Sequence, residues 1–273
     1  MNLTLQSRKK LNNEIEIPIL GFGTWQLNGK RAIKTVSWAL EMGYRLIDTA
    51  EMYGNESEIG SVIKDSGIDR EKLFITTKVW ISNLGFDTTL EAFEKSLERL
   101  QISYVDLYLI HWPANERWTE SWKALEKLYS EDQVRAIGVS NFNIELLKTL
   151  LEQFSVKPVV NQVEFSPFLF QKELLEFCQS NNISIMAYCP LTRGKKLEKP
   201  VLKSIAAKYN KSSAQILLRW GLQHRIIEIP KSGKKDHIKE NSNVFDFKLD
   251  NQDMEKLDDL NEDFRVVDTS VWI

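Results

Sequence analysis

Short apolar runs alternate with segments of helical spacing along most of the chain. The runs are ILGF (19–22), RLIDT (45–49), LFITTKV (73–79), VDLYLI (105–110), RAIGV (135–139), VVNQV (159–163), ISIMAY (183–188) and IIEIP (226–230). Most are rich in Ile, Val, Leu and aromatics and short enough for buried strands. Between them, Leu90, Phe93, Leu97 and Leu100 line one face of a helix, with Asp87 as its expected N-cap. Trp118, Trp122, Leu125 and Leu128 fall at the same spacing, which assigns both tryptophans to the core. Further helical faces run through Ile144, Leu147 and Leu151, through Leu174, Phe177 and Cys178, and from Ile216 to Trp220. The stretch 200–222 reads as two helices broken at YNKSS, and NQDMEKLDDL as a late helix before an irregular end, RVVDTSVWI.

Strand and helix in alternation, joined by mostly short connections, give parallel pairing with right-handed crossovers. Eight strands over about 250 residues predict an α/β fold, a (β/α)8 TIM barrel, as one domain over residues 1–273. LTLQ…IEIP near the N-terminus predicts a small β-hairpin capping the barrel bottom. The competing fold is an open doubly wound sheet. That fold binds a dinucleotide through a glycine fingerprint at its first turn, and GFGTWQ at Gly21 lacks the third glycine.

Composition narrows the functional classes. Of 273 residues, 42% are hydrophobic and 27% charged, an ordinary globular balance. A formal net charge of −2 argues against nucleic acid as a partner. The start, MNLTLQSRKKLNN, has no apolar signal core, and no segment approaches the roughly 20 apolar residues of a membrane span. Cys178 and Cys189 are then expected as reduced thiols in a cytoplasmic protein, with Cys189 a small buried thiol. His111, His224 and His237 lie far apart and no metal-binding spacing is present, so no metal site is expected.

In a (β/α)8 barrel the active site forms at the C-terminal ends of the strands. Those ends carry Thr24 and Trp25, Asp48 and Tyr53, Lys78 and Trp80, His111 and Trp112, Ser140 and Asn141, Gln162, Tyr188, and Lys231 and Ser232. Polar loops explain one or two of these; they do not explain Lys78 after an apolar run, where an unpaired ammonium is costly. Asp48, Tyr53, Lys78 and His111 come from neighbouring strands. A carboxylate pairs the ammonium, and the ammonium is expected to lower the phenol pKa toward neutrality. A neutral imidazole can orient a carbonyl oxygen. The set suits protonation of an oxyanion formed as hydride arrives at carbon. It does not suit acyl transfer, because no nucleophile is paired with the histidine.

A hydride needs a donor. Ser140, Asn141 and Gln162 offer groups for a carboxamide, and Tyr188 a flat face for stacking. IPKSGKKD collects Lys231, Ser232, Gly233, Lys234 and Lys235 before a helix start, a phosphate site. The strand ends therefore describe a nicotinamide dinucleotide across the barrel mouth.

With these residues in place, the sequence resembles the aldo-keto reductase family over essentially its whole length. The similar segments are GFGTW, RLIDTAEMYGNE, LFITTKVW, VDLYLIHWP, AIGVSNF, NQVEFSP, YCPL, IPKS and KENSNVFDF, in the family's order. The resemblance implies reduction of aldehydes and ketones with Tyr53 as general acid, Lys78 and Asp48 as its tuning pair and His111 as carbonyl orienter. It implies NADPH as cofactor, held by Thr24, Trp25, Asp48, Ser140, Asn141, Gln162, Tyr188, Pro190 and Leu191. Lys231, Ser232, Gly233 and His237 would serve the 2′-phosphate, and Glu240 and Asn241 the adenine. Trp25, Tyr53, Trp80, His111 and Trp112 would form the substrate site. Many NADPH-dependent members carry Arg where this chain has His237, and an imidazole holds a phosphate less firmly than a guanidinium, which leaves NADH open as well. The short loop PANERW after Trp112 and the short tail resemble prokaryotic-type members with open, tolerant sites. Trp272 in that tail either covers the pocket or hangs free, GKK at 194–196 reads as a solvated loop in a region that the resemblance implies can close over the pyrophosphate, and a monomer is expected by analogy. Two other readings stand beside this one: a cofactor-binding regulatory barrel with little turnover, and a lyase or isomerase on a similar barrel.

Overall fold

The apolar runs become strands and the intervening stretches helices in the computed structural model, which describes residues 3–268. Strands β1 (Arg8–Lys10) and β2 (Glu16–Pro18) pair antiparallel. The main sheet is parallel and holds β3 (Phe22–Gly23), β4 (Leu46–Asp48), β5 (Phe74–Val79), β6 (Leu107–Ile110), β7 (Ile137–Ser140), β8 (Val160–Glu164), β9 (Ser184–Tyr188) and β10 (Ile227–Glu228), in chain order. Helices α1 (Gly29–Glu41), α2 (Glu56–Asp65), α3 (Phe86–Leu100), α4 (Trp118–Ser130), α5 (Ile144–Gln153) and α6 (Lys172–Ser180) form the crossovers as far as β9. Two helices, α7 (Pro200–Tyr209) and α8 (Ser213–Gln223), precede β10; α9 (Lys235–Ser242) and α10 (Asn251–Asp258) follow it.

The sheet closes on itself. Gly21 N–H donates to the Glu228 carbonyl at 2.7 Å, Glu228 N–H to that of Ile19 at 3.0 Å, and Gly23 N–H to that of Pro230 at 3.2 Å. An open doubly wound sheet would leave these edge groups unpaired, so that alternative is excluded in favour of the barrel.

Alternation along the strands decides what the barrel holds. Leu46, Phe74, Leu107, Leu109, Ala136, Val160, Met186 and Ile227 form one buried cluster together with Leu11 and Ile17 from the hairpin. Their strand neighbours Ile47, Ile75, Tyr108, Ile137, Val163 and Ile185 belong to a second cluster with the helices. Successive side chains point to opposite faces, so the first set fills the barrel and the second faces the helix layer. Counting on by two from the interior set gives Asp48, Lys78, His111, Ser140, Gln162 and Tyr188. The period that buries the barrel floor also aims these residues at the barrel mouth.

Three local details differ from the sequence pattern. The first hairpin strand is Arg8–Lys10, because LTLQ at 3–6 turns back through Ser7 N–H to Thr4 carbonyl at 3.0 Å. Asp87 is not the cap of α3: Gly85 is the N-cap, at φ 128, and Asp87 sits within the first turn. Leu90 and Leu97 are only half-buried, while Thr89, Ala92, Phe93, Ser96 and Leu100 carry the inner face of α3. Trp118 and Trp122 are buried in the helix layer as expected. The break at YNKSS is real. Asn210 adopts the left-handed conformation, and Ser212 with Gln215 forms a capping box for α8.

Candidate active site

The barrel mouth opens into a cavity of about 820 Å³, within the range of a pocket for a large ligand. The Lys78 ammonium lies behind its wall, fully buried, 2.7 Å from Asp48 Oδ1 and donating to the Thr49 carbonyl at 2.7 Å. Gln162 Nε2 donates to the other carboxylate oxygen of Asp48 at 2.8 Å. Burial pushes the Asp48 carboxyl up and the Lys78 ammonium down, while their mutual contact opposes both movements.

Tyr53 reaches this pair from a short turn, Glu51–Tyr53, that follows β4. Gly54 ends the turn at φ 64, a conformation glycine adopts without strain. Asn55 is fully buried and stitches the turn down. Its Nδ2 donates to the carbonyls of Thr24 at 3.0 Å and Leu27 at 2.8 Å, and its Oδ1 accepts from Thr49 Oγ1 at 2.7 Å. Glu51 carries the other end, accepting the Trp80 N–H at 2.9 Å and a bond from Asn83 Nδ2. The phenol ring is thereby set 5.0 Å below Lys78 Nζ, 4.9 Å from the Trp25 ring and 5.6 Å from the His111 ring.

The electrostatics differ in one respect from the expectation. Burial, then the Asp48 carboxylate, hold the Tyr53 phenol well above its ordinary value. The Lys78 charge does not lower it toward neutrality, because that charge is already spent on Asp48 at a shorter distance. In the protein alone Tyr53 is therefore a protonated donor. Burial and the Lys78 charge push His111 well below its usual range, leaving a neutral imidazole. Its Nδ1 is buried without a hydrogen-bond partner among the described residues.

Trp25, Trp80 and Trp112 line the cavity beside Tyr53 and His111, as the sequence suggested. Met52 and Val267 join them without having been anticipated. Val267 is brought there by Glu164 at the end of β8, whose carboxylate accepts the N–H groups of Val266 at 2.7 Å and Val267 at 3.1 Å. Trp272 lies outside the described residues. Cys189 is half-buried and lines the cavity, so it is less enclosed than expected.

The cavity also has polar lining residues. Thr24, Asn141, Gln162 and Tyr188 line it, followed by Pro190 and Leu191 and then by Lys231, Ser232, Gly233 and His237. Ser140 sits just behind, donating to the Gln162 carbonyl at 2.8 Å. Tyr188 donates to Asn141 Oδ1 at 2.8 Å, and Asn141 Nδ2 donates to the His111 carbonyl at 3.0 Å. Gln162 commits its Nε2 to Asp48, leaving its amide carbonyl without a hydrogen bond among the described residues. Glu240 and Asn241 line a smaller adjoining cavity, together with Lys231, Ser232 and His237. Arg31 and Arg193 also line the main cavity and escaped the sequence reading. Arg193 immediately precedes the GKK loop at 194–196, a loop expected to be solvated or to close over the pyrophosphate. Arg31 lies on a helix and carries no strand-end mark.

An aromatic face, a cluster of amide and hydroxyl groups and a set of cations fit a nicotinamide dinucleotide. No group of three or more His, Cys, Asp and Glu is placed to hold a metal among the described residues, and no helix among them is long and apolar enough to cross a membrane.

The sequence model described as "Aldo/keto reductase family" matches residues 19–262. The chain is 51% identical to the glyoxal reductase of Bacillus subtilis over 97% of both proteins. It superposes with a TM-score of 0.94 on an aldo-keto reductase from a Medee basin deep-sea metagenome library, at 44% identity over 95% of this chain and 97% of the other. A Bombyx mori aldo-keto reductase in complex with NADP superposes at 0.93, with 35% identity over 99% of this chain and 97% of that one.

Proposed function

The chain belongs to the aldo/keto reductase family, and from that premise we propose that Tyr53, Lys78, Asp48 and His111 carry NADP-dependent reduction of small aldehydes and ketones to alcohols. The observation that carries this reading is the meeting of a protonated phenol, a buried Lys–Asp pair and a neutral imidazole in one cavity beside a polar groove. Bound NADPH supplies the hydride. The protein's own residues supply position and proton. The His111 imidazole orients the carbonyl oxygen, the Tyr53 hydroxyl donates the proton to that oxygen as charge develops on it, and Lys78 with Asp48 stabilises the phenolate left behind. Gln162 takes a carboxamide N–H through its free carbonyl, with Ser140 and Asn141 exchanging internal partners to complete the contact, while Tyr188 stacks. Lys231, Ser232, Gly233 and His237 meet a phosphate, and Glu240 and Asn241 the adenine.

The complete tetrad speaks against a barrel that binds cofactor without turnover. The tryptophan walls support uncharged carbonyl substrates. A steady-state panel of aldehydes, ketoses and keto-esters, with glyoxal included because a relative bears that name, tests the reading with NADPH and NADH in parallel. NADPH-dependent turnover of short aldehydes is the expected result; tight NADPH binding with no turnover anywhere in the panel would overturn it. A cytoplasmic location and a monomeric state complete the proposal, the latter checked by sedimentation.

His237 is in the first turn of α9 and lines both cavities. His237→Arg is expected to raise the ratio of NADPH to NADH efficiency several-fold, by adding a forked, permanently charged donor. Parallel kcat/KM measurements with the two cofactors check it; an unchanged ratio means that other groups already satisfy the 2′-phosphate.

A further inference from the structure

Arg31 is the unexplained charge of the cavity. It lies in the first turn of α1, whose start is anchored by Glu58 accepting the Gly29 N–H at 2.9 Å. From there the guanidinium reaches across to the loop before α9. A Cβ added at Gly233 would collide with it, Cζ and Nε both falling within 2.8 Å. The glycine thus makes room for an arginine from a distant helix.

Arg31 and Lys231 each form no ion pair with a carboxylate among the described residues. Arg193 comes from the loop after β9 and lines the same cavity. The charges of Arg31 and Arg193 add to burial in pushing the Lys231 ammonium down. Three cations from three separate elements therefore come close enough to act on one another; the Cys189 thiol acts in the other direction on Lys231, and the Glu164 carboxylate lies near Arg193. Such an arrangement costs free energy until an anion arrives.

We propose that Arg31 is a cofactor-phosphate ligand, completing with Lys231 and Arg193 a three-cation cradle at the dinucleotide end of the cavity. This rests on the reading of that cavity as a nicotinamide-dinucleotide site. The ligand chemistry is a phosphate group, and the dinucleotide carries two kinds, the 2′-phosphate and the pyrophosphate. A planar guanidinium suits either, because its parallel N–H groups match two phosphate oxygens.

The test uses the full-length protein and fluorescence titration rather than turnover. NADPH and NADH are titrated into the wild type, Arg31→Gln and Arg31→Lys, with thermal midpoints of the cofactor-free proteins measured alongside. Arg31 is exposed on its helix, so the midpoints are expected to stay together. Arg31→Gln is expected to weaken NADPH binding roughly tenfold and to flatten its salt dependence, with Arg31→Lys recovering part of the loss. Weakening of NADPH alone assigns Arg31 to the 2′-phosphate; equal weakening of NADH assigns it to the pyrophosphate; both uphold the cradle. Unchanged dissociation constants for both cofactors, in variants of normal stability, overturn it. A wild type that binds neither cofactor overturns the dinucleotide reading as well, which separates the two failures.

Discussion

Replacing Tyr53 with Phe is expected to lower kcat for aldehyde reduction by about a thousandfold or more, while the dissociation constant for NADPH stays within about twofold. The substitution removes a single oxygen. The ring keeps its neighbours, Trp25 at 4.9 Å and His111 at 5.6 Å, and the turn that carries it is held by Asn55 and Glu51, not by the hydroxyl. Binding and folding are therefore insulated from the change, and the loss falls on the proton-transfer step. His111 cannot take over the donation, because burial and the Lys78 charge keep its imidazole neutral. The same electrostatics make a second reading of the wild type possible. With the Tyr53 pKa raised, the phenol stays protonated through neutrality, so the reduction rate should be flat between about pH 6 and 8. A decline with a midpoint near neutrality would restore the expectation that Lys78 lowers the phenol. Retention of most activity by Tyr53→Phe with a simple aldehyde would remove Tyr53 from the role of acid altogether.

That pH behaviour marks the limit of what the sequence could say. Asp48, Lys78 and His111 were legible because they end apolar runs, and the strand period that buries Leu46, Phe74 and Leu109 sets them on the same inner face. The sign of the Tyr53 shift was not legible. It depends on how much water the fold removes and on which acid stands closest to Lys78, and both are properties of packing rather than of adjacency along the chain. Arg31 was invisible for a related reason: its partner Gly233 lies some 200 residues away, in a contact no local pattern encodes. Val267 entered the pocket wall only through the Glu164 carboxylate, which reads in the sequence as one more polar residue after a strand. Asp87 shows the reverse case. A good capping residue was present, but the Gly85 backbone at φ 128 had already begun the helix two residues earlier.

Lys78→Met is expected to reduce turnover about a hundredfold or more and to lower the thermal midpoint by on the order of 10 °C. Lys78 has no exposed surface and Asp48 almost none, at 0% and 2%, and they meet at 2.7 Å. Methionine matches the aliphatic stem but leaves the Asp48 carboxylate with only the Gln162 amide, in a place where an uncompensated charge costs several kcal/mol. Turnover falls separately, because no cation remains 5.0 Å from the Tyr53 ring to stabilise the phenolate as the proton leaves. The two losses can be told apart by pairing Lys78→Met with Asp48→Asn. The double variant leaves no uncompensated charge at this pair, so its midpoint should recover most of the deficit, while its turnover should stay as low as that of the single variant. Recovery of turnover along with stability would mean that Lys78 acts only by holding the fold, and that the phenol donates its proton without help from the pair beneath it.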